Sequence, residues 1–293
     1  MVTGIKSWLE GAFDYAGLFP PASLGITEAV EEYVALQDSE AGFLVDRFLI
    51  PASRFGELTA QLDAYGIEKG FPCSLIGSPF SAGSIDADWK ACRDKRVDVT
   101  GYELKCAPGL APKALFKEIK KSAAADILGD DFYLEFAWDE HQEDNLLEAA
   151  GSIEEIGFKA RTGGLSAGDF PTVEQLAVWI VTTASLDAPV KFTAGLHEAL
   201  RYHDQNLHVM RHGFLNVMTA FVLARVEDLV VDEVASVLSE TNISSFEFGK
   251  PGLGHGLTVS PWEAVEESMD WFRGIGSCSI IEPLESLGRL RLL

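Results

Sequence analysis

The runs DFYLEFAW (131–138), IGFKAR (156–161) and PVKFTAG (189–195) are short, apolar and rich in β-formers, and the helical patterns NLLEAAGSIEEIG and VEQLAVWIVTTAS lie between them. Strand, helix and strand in this order build a parallel sheet, because a parallel neighbour is reached only through a crossover. The alternation continues outward in both directions. Toward the amino terminus are GFLVDRFLIP (42–51), FPCSLIG (71–77) and DVTGYELK (98–105), with FGELTAQLDAYG and PKALFKEIKKSAAA as helical candidates. Toward the carboxyl terminus are ISSFEFG (243–249) and GSCSII (276–281). Eight such runs over about 250 residues predict one α/β domain over 1–293, a (β/α)8 TIM barrel, with 1–40 as an N-terminal extension and a helix packed on it. An open doubly wound α/β sheet is the alternative. Thr172–Gln175 and Ser260–Glu263 both match a capping box, the second with Pro261 at the first helical position. HVMRHGFLNVMTAFVLA (208–224) reads as one long helix.

Charge narrows the function classes. The 293 residues carry 23 Lys and Arg against 45 Asp and Glu, a net −22. Such a surface repels phosphate backbones and anionic lipid, so neither nucleic acid nor membrane is an expected partner. The sequence has no apolar stretch near the ~20 residues that span a bilayer. Cys73, Cys92, Cys106 and Cys278 show no C-x-x-C spacing and read as reduced thiols, which fits a cytoplasmic protein.

The strands themselves hold the chemical signal. A barrel strand packs on helices with one face and fills the barrel with the other, so it should be apolar. Here Glu103 and Lys105 stand two apart and share a face, as do Lys159 and Arg161. Glu135, the Lys191–Thr193 pair and Glu247 also lie late in their runs, at the carboxyl end where barrel sites are built. Burying several charges is costly unless they pair or bind something. Glu103, Lys105, Glu135, Lys159, Arg161, Lys191 and Glu247 are therefore expected to converge on one cavity.

The loops after the strands suit an anion. Arg161-Thr162-Gly163-Gly164, Gly195-Leu196-His197, the Gly249–Gly256 segment and Gly276-Ser277 combine glycines, whose N–H groups approach an anion closely, with cations. Either His197 or His255 is placed to act as an acid, a base or a substrate donor. His208 and His212 are four apart, a spacing that holds a metal on a helix, but HVMRH lacks the Glu of H-E-x-x-H; His203 and His208 read as surface or packing residues. No metal and no cofactor is expected. FDYAGLFPPAS (13–23) reads either as a plug on the barrel bottom, anchored by Phe13 and Phe19, or as a lid carrying Asp14 or Tyr15 to the site.

The stretch GFKARTGG…PVKFTAGL resembles class I aldolase barrels, the deoxyribose-phosphate aldolase family in particular. That family carries its Schiff-base lysine in a Lys-x-x-Thr-Gly strand end and a second lysine in Val-Lys-x-x-Gly-Gly on the next strand. Lys159 and Lys191 match these positions, with Thr162-Gly163 and Gly195 in register. The resemblance covers about 40 of the 293 residues. The family's Asp proton relay has no evident counterpart, with Glu103 or Glu135 as substitutes, and two strands appear after Lys191 where the family has one.

The resemblance implies a Schiff-base lyase acting on a small anionic carbonyl compound, a sugar phosphate or keto acid. In it Lys159, Lys191, Glu103 and Glu135 are catalytic. From the strand ends and loops themselves, Lys105, Arg161, Thr162, Thr193, His197, Glu247, His255, Gly276 and Ser277 are expected to bind substrate. The cationic neighbours Lys191 and Arg161 are expected to depress the Lys159 pKa and free its amine. The same residues also make an anion clamp without a covalent step. A metal-dependent hydrolase or isomerase using Glu103, Glu135, Glu247, His197 and His255, and a non-catalytic barrel whose charges pair internally, are the other classes. The partner is the small anion, and a homo-oligomer is compatible with the sequence.

Overall fold

The computed structural model describes residues 3–107 and 112–293. Eight parallel strands close on themselves: β1 (Phe13–Tyr15), β2 (Val45–Pro51), β3 (Phe71–Ile76), β4 (Val97–Lys105), β5 (Phe132–Glu135), β6 (Gly157–Arg161), β7 (Val190–Thr193) and β8 (Phe272–Ser277). β1 pairs with β8 on one side, Asp14 beside Gly276, and with β2 on the other, which closes the cylinder and rules out an open sheet. The expected eight is reached with a different set of strands. Phe13–Tyr15, expected in an extension, is the closing strand: Phe13 and Tyr15 turn their rings outward into the core and Asp14 points inward.

Conversely, ISSFEFG supplies no barrel strand. Phe246–Glu247 pairs antiparallel with Leu253–His255, which pairs with Thr258–Ser260, because the FGKPG turn (248–252) between the first two is too short for a parallel crossover. This small sheet packs on the helix Phe214–Val226, and Phe248 stacks on Trp8 at 5.9 Å, ahead of β1 and so on the amino-terminal side. One barrel strand, β8, therefore follows Lys191.

Two helix boundaries also differ from expectation. Thr172 caps the helix Val173–Ser185 through the Gln175 N–H, as its sequence predicts. Ser260 instead donates its hydroxyl to Glu227, and Pro261 becomes the cap of Trp262–Ser268. The long helix over 208–224 begins only at Phe214, because His208 takes φ +50° and Val209–Arg211 pairs with Tyr202–Asp204 as a hairpin. From Phe214 to Ala224 every residue is buried, since the helices Val231–Ser239 and Trp262–Ser268 cover the face turned away from the barrel. Among the described residues, no helix is long and apolar enough to cross a membrane.

The apolar core lies between barrel and helices. Phe48 and Ile50, Tyr102 and Leu104, Phe132 and Leu134, Phe158 and Ala160, and Val190 and Phe192 all face outward into it. The alternate residues face the axis, and there the barrel is polar. Gly101 makes room for this: a Cβ there would stand 2.6 Å from the Ser74 hydroxyl and 3.5 Å from Arg47 Nη1.

Because β1 is hydrogen-bonded on both edges, a chain lacking residues 1–24 is expected to lose cooperative unfolding, measured by circular dichroism. Phe13→Ala should cost about 3–5 kcal/mol, the range for emptying a buried Phe site.

Candidate functional site

The inward side chains form a column of alternating charge along the barrel axis. At its foot Arg47 of β2 donates from Nε to Asp14 Oδ1 at 3.1 Å, and from Nη2 to the Arg273 carbonyl at 2.6 Å. Asp46 and Asp131 lie 3.3 and 3.7 Å from the same guanidinium. Asp14 bonds Lys191 of β7, whose Nζ also donates to Glu103 Oε1 at 2.6 Å and lies 5.3 Å from the Tyr133 ring centroid. Glu103 of β4 accepts from the Ser74 hydroxyl at 2.9 Å and, through its other oxygen, from Lys159 of β6 at 2.7 Å. Lys159 Nζ lies 3.0 Å from Glu135 of β5, whose second oxygen accepts from Arg161 Nε at 3.0 Å.

The register explains this order. Lys159 and Lys191 are direct partners across β6 and β7, so without an anion between them their ammonium groups would repel. Glu103 supplies one oxygen to each. Exposure rises along the column: Lys191 is 0% exposed, Lys159 is 6% exposed, and the Arg161 side chain is 41% exposed. The open end is thus the carboxyl-terminal mouth, and of the two buried lysines Lys159 is the one nearer to it.

Each pair resets the protonation of its members. Burial alone pushes the Glu103 carboxyl up, but the Lys159 and Lys191 ammonium groups outweigh it and hold it far below the usual carboxylate range. Glu135 is lowered in the same way, its burial outweighed by Lys159 and Arg161. Burial alone would lower the Lys159 amine; the Glu103 and Glu135 carboxylates prevail and hold it above the ordinary lysine value. The expectation that Lys191 and Arg161 depress it is thus reversed, because a carboxylate stands between Lys159 and each of them.

The other sequence-picked residues divide by place. Thr162 is buried and donates its hydroxyl to the Ala194 carbonyl at 2.6 Å, tying the loop after β6 to the loop after β7. Trp138 donates to the Arg161 carbonyl at 2.6 Å and so fixes the base of that side chain. Thr193 and Gly276 are partners at the mouth; a Cβ on Gly276 would stand 2.8 Å from Thr193 Oγ1 and 3.1 Å from Leu49 Cδ1, so glycine keeps the opening clear. Ser277 turns its hydroxyl to the Ser279 carbonyl. Lys105 ends β4 and is exposed. His197 lies after β7, with Nδ1 2.7 Å from Glu282.

Glu247 and His255 do not join them. Both belong to the small antiparallel sheet on the other side of the barrel, where Glu247 accepts from the Gly249 N–H and His255 lies 3.6 Å from Glu240. The His208 and His212 spacing is not helical either. His212 is buried, donates from Nε2 to the Pro171 carbonyl at 2.9 Å, and is pushed down to about 4 by burial. Among the described residues, no group of three or more His, Cys, Asp and Glu side chains is placed to hold a metal.

Sequence reasoning missed Asp14 as a barrel residue, and Arg47, Ser74 and Tyr133 altogether. Arg47 carried a usable signal: a charge leading directly into the apolar FLI of its strand run VDRFLI, as Lys159 stands inside GFKAR.

No protein-family model and no curated protein matches the sequence. Among solved structures the chain is similar to a deoxyribose phosphate aldolase from Aeropyrum pernix, described as a tetramer. The two are 12% identical with a TM-score of 0.38, over 96% of this chain and 92% of that one. A likeness at this level says nothing of substrate or mechanism.

Asp14→Asn leaves Arg47 and Lys191 buried beside a neutral amide, and should cost about 3–5 kcal/mol in denaturant unfolding. The contribution of the charged column to stability should be flat across neutral pH. The depressed carboxyls of Glu103 and Glu135 contribute fully above the unfolded value of about 4.3 and lose that contribution as pH falls through their folded values. Lys159, raised when folded, contributes fully below about 10.4 and loses it as pH rises through its folded value. Lys159→Met should therefore flatten the alkaline arm of a Tm-against-pH curve.

Proposed function

We propose that the barrel is a lyase-type enzyme in which Lys159 forms a Schiff base with a small anionic carbonyl compound. The observation that carries this reading is the placing of Lys159 Nζ between two carboxylates, 2.7 Å from Glu103 and 3.0 Å from Glu135, directly beneath the partly exposed Arg161. A nucleophile, two proton acceptors and an anion-binding group thus meet at the carboxyl end of the strands, where barrel enzymes build their sites.

The chemistry follows from the proton inventory. Lys159 rests as an ammonium, so attack requires transfer of one proton to a neighbouring carboxylate, and Glu135 is the one next to the mouth. The neutral amine adds to the carbonyl carbon, and the proton returns from Glu135 to the carbinolamine oxygen, which departs as water. The iminium then draws the electrons of the substrate's Cα–Cβ bond into an enamine while a carboxylate takes the proton of the hydroxyl on Cβ, which leaves as aldehyde. The carboxylate returns that proton to Cα, and water hydrolyses the iminium to release the second carbonyl product and the Lys159 amine. Arg161 holds the substrate's phosphate or carboxylate with one face and Glu135 with its Nε. Lys191, fully enclosed by Asp14 and Glu103, orients Glu103 and does not reach the substrate.

A second reading has one observation in its favour: every charge of the column has an opposite partner within 3.1 Å. A barrel of internally paired charges needs no substrate. One experiment separates the two. Borohydride added with pyruvate or glyceraldehyde phosphate should trap an adduct on the Lys159 peptide, located by mass spectrometry. Lys159→Arg, which keeps the charge but forms no imine, should abolish trapping and turnover. Arg161→Ala should weaken anion binding about 10-fold or more, the scale of one charge-assisted hydrogen bond. Absence of any adduct with both anion classes, or trapping that persists in Lys159→Arg, would favour the paired barrel.

A further inference from the structure

The loops that leave β7 and β8 bring a second set of reactive groups to the mouth. The two strands are paired, Thr193 beside Gly276, so the residues that follow them are neighbours in space. His197, four residues past Thr193, is 8% exposed, while Cys278, two past Gly276, is the one cysteine of the four that is not buried. The Cys278 sulfur lies 3.9 Å from His197 Nε2, and His197 Nδ1 lies 2.7 Å from Oε2 of Glu282 in the first turn of the helix Ile281–Arg289. Glu282 approaches Nδ1 off the line of a hydrogen bond, so it acts on the imidazole by charge. Thiol, imidazole and carboxylate in series are a nucleophile, its base and the counter-charge of that base.

We propose that Cys278, His197 and Glu282 form a nucleophilic triad, separate from Lys159, that accepts the acyl group of a small ester or thioester. A sulfur–nitrogen separation of this size is what a free site shows before substrate tightens it. β8 ends at Ser277, and Cys278 lies in the bend that follows it, on the carboxyl-end rim of the barrel beside the backbone of Ala22.

Protonation suits a base that acts during attack. Burial pushes the Cys278 thiol above its ordinary value, with a backbone N–H of Ala22 at the sulfur opposing it. Burial also lowers the His197 imidazole, against the pull of the Glu282 carboxylate. Near pH 7 both are neutral, so the thiol proton has an acceptor in place. As sulfur bonds the acyl carbon, its proton passes to Nε2. The ester C–O or thioester C–S bond then breaks, and the leaving alcohol or thiol takes that proton. Water, deprotonated by the same nitrogen, releases the acid and restores the thiol. Water is the sole co-reactant, and no electrons are exchanged with another partner.

The test uses the full chain and p-nitrophenyl acetate. A burst of p-nitrophenolate should appear, with the acetyl group on the Cys278 peptide by mass spectrometry. The acylation rate should rise through the His197 ionisation; in His197→Gln it should fall about 10²-fold or more and rise only where the thiol itself ionises. Glu282→Gln should give a smaller fall, and its side chain, 56% exposed, tolerates the change without loss of fold. Acetylation of lysines or of the buried cysteines in place of Cys278 would overturn the proposal, as would an unchanged rate and pH profile in a folded Glu282→Gln or His197→Gln protein. None of these outcomes depends on Lys159.

Discussion

A lysine with no solvent exposure sits in the middle of this barrel, and the neighbouring strands are arranged around its charge. Lys191 is stable there only because Asp14 and Glu103 each give it an oxygen. An ion alone in such a place costs several kcal/mol, and the cost is offset only when partners fill its hydrogen-bonding capacity. The requirement propagates. Asp14 needs Arg47, Glu103 needs Lys159 and Ser74, and Lys159 needs Glu135, until Arg161 meets solvent. Removal of any inner member strands its neighbours, so the column behaves as one unit and its single-residue energies are not additive.

This constraint also accounts for features of the chain outside the column. β1 is three residues long, yet the barrel cannot close electrically without its Asp14. Gly101 is needed where a side chain would collide with Ser74 and crowd the Arg47 guanidinium. The apolar free energy comes from the outer shell, Phe48, Tyr102, Phe132, Phe158 and Phe192, all fully buried. Polar axis and apolar jacket are consistent because strand residues alternate between them.

Periodicity made much of this legible. Six of the eight barrel strands, β2 to β7, were readable from the strand–helix alternation, the shared face of Lys159 and Arg161 from period two, and Glu103 from its place as a charge inside an apolar run. Sequence reasoning failed where elements are short or pairing is non-local. Phe13–Tyr15 is too brief to show a period, and its Asp14 looks like a turn residue among Pro and Gly. Phe246–Glu247 has the composition of a strand, but its partner is local and antiparallel, so Glu247 and His255 end on the wrong side. The protonation of Lys159 was beyond reach for another reason. Sequence gives Lys191 as its lateral neighbour but does not give the carboxylate that a third strand inserts between them.

Both proposed nucleophiles, an amine within the column and a thiol on the rim, stand beside the column's central feature, a Lys159 held as an ammonium by Glu103 and Glu135. The most direct measurement is a titration of the lysine Cε chemical shifts by NMR, with Lys159 assigned from the Lys159→Arg protein. Its signal should stay in the ammonium position after the surface lysines have titrated near their ordinary value of about 10.4. A Lys159 that loses its proton before the surface lysines would contradict the account, since no carboxylate could then be bracketing it.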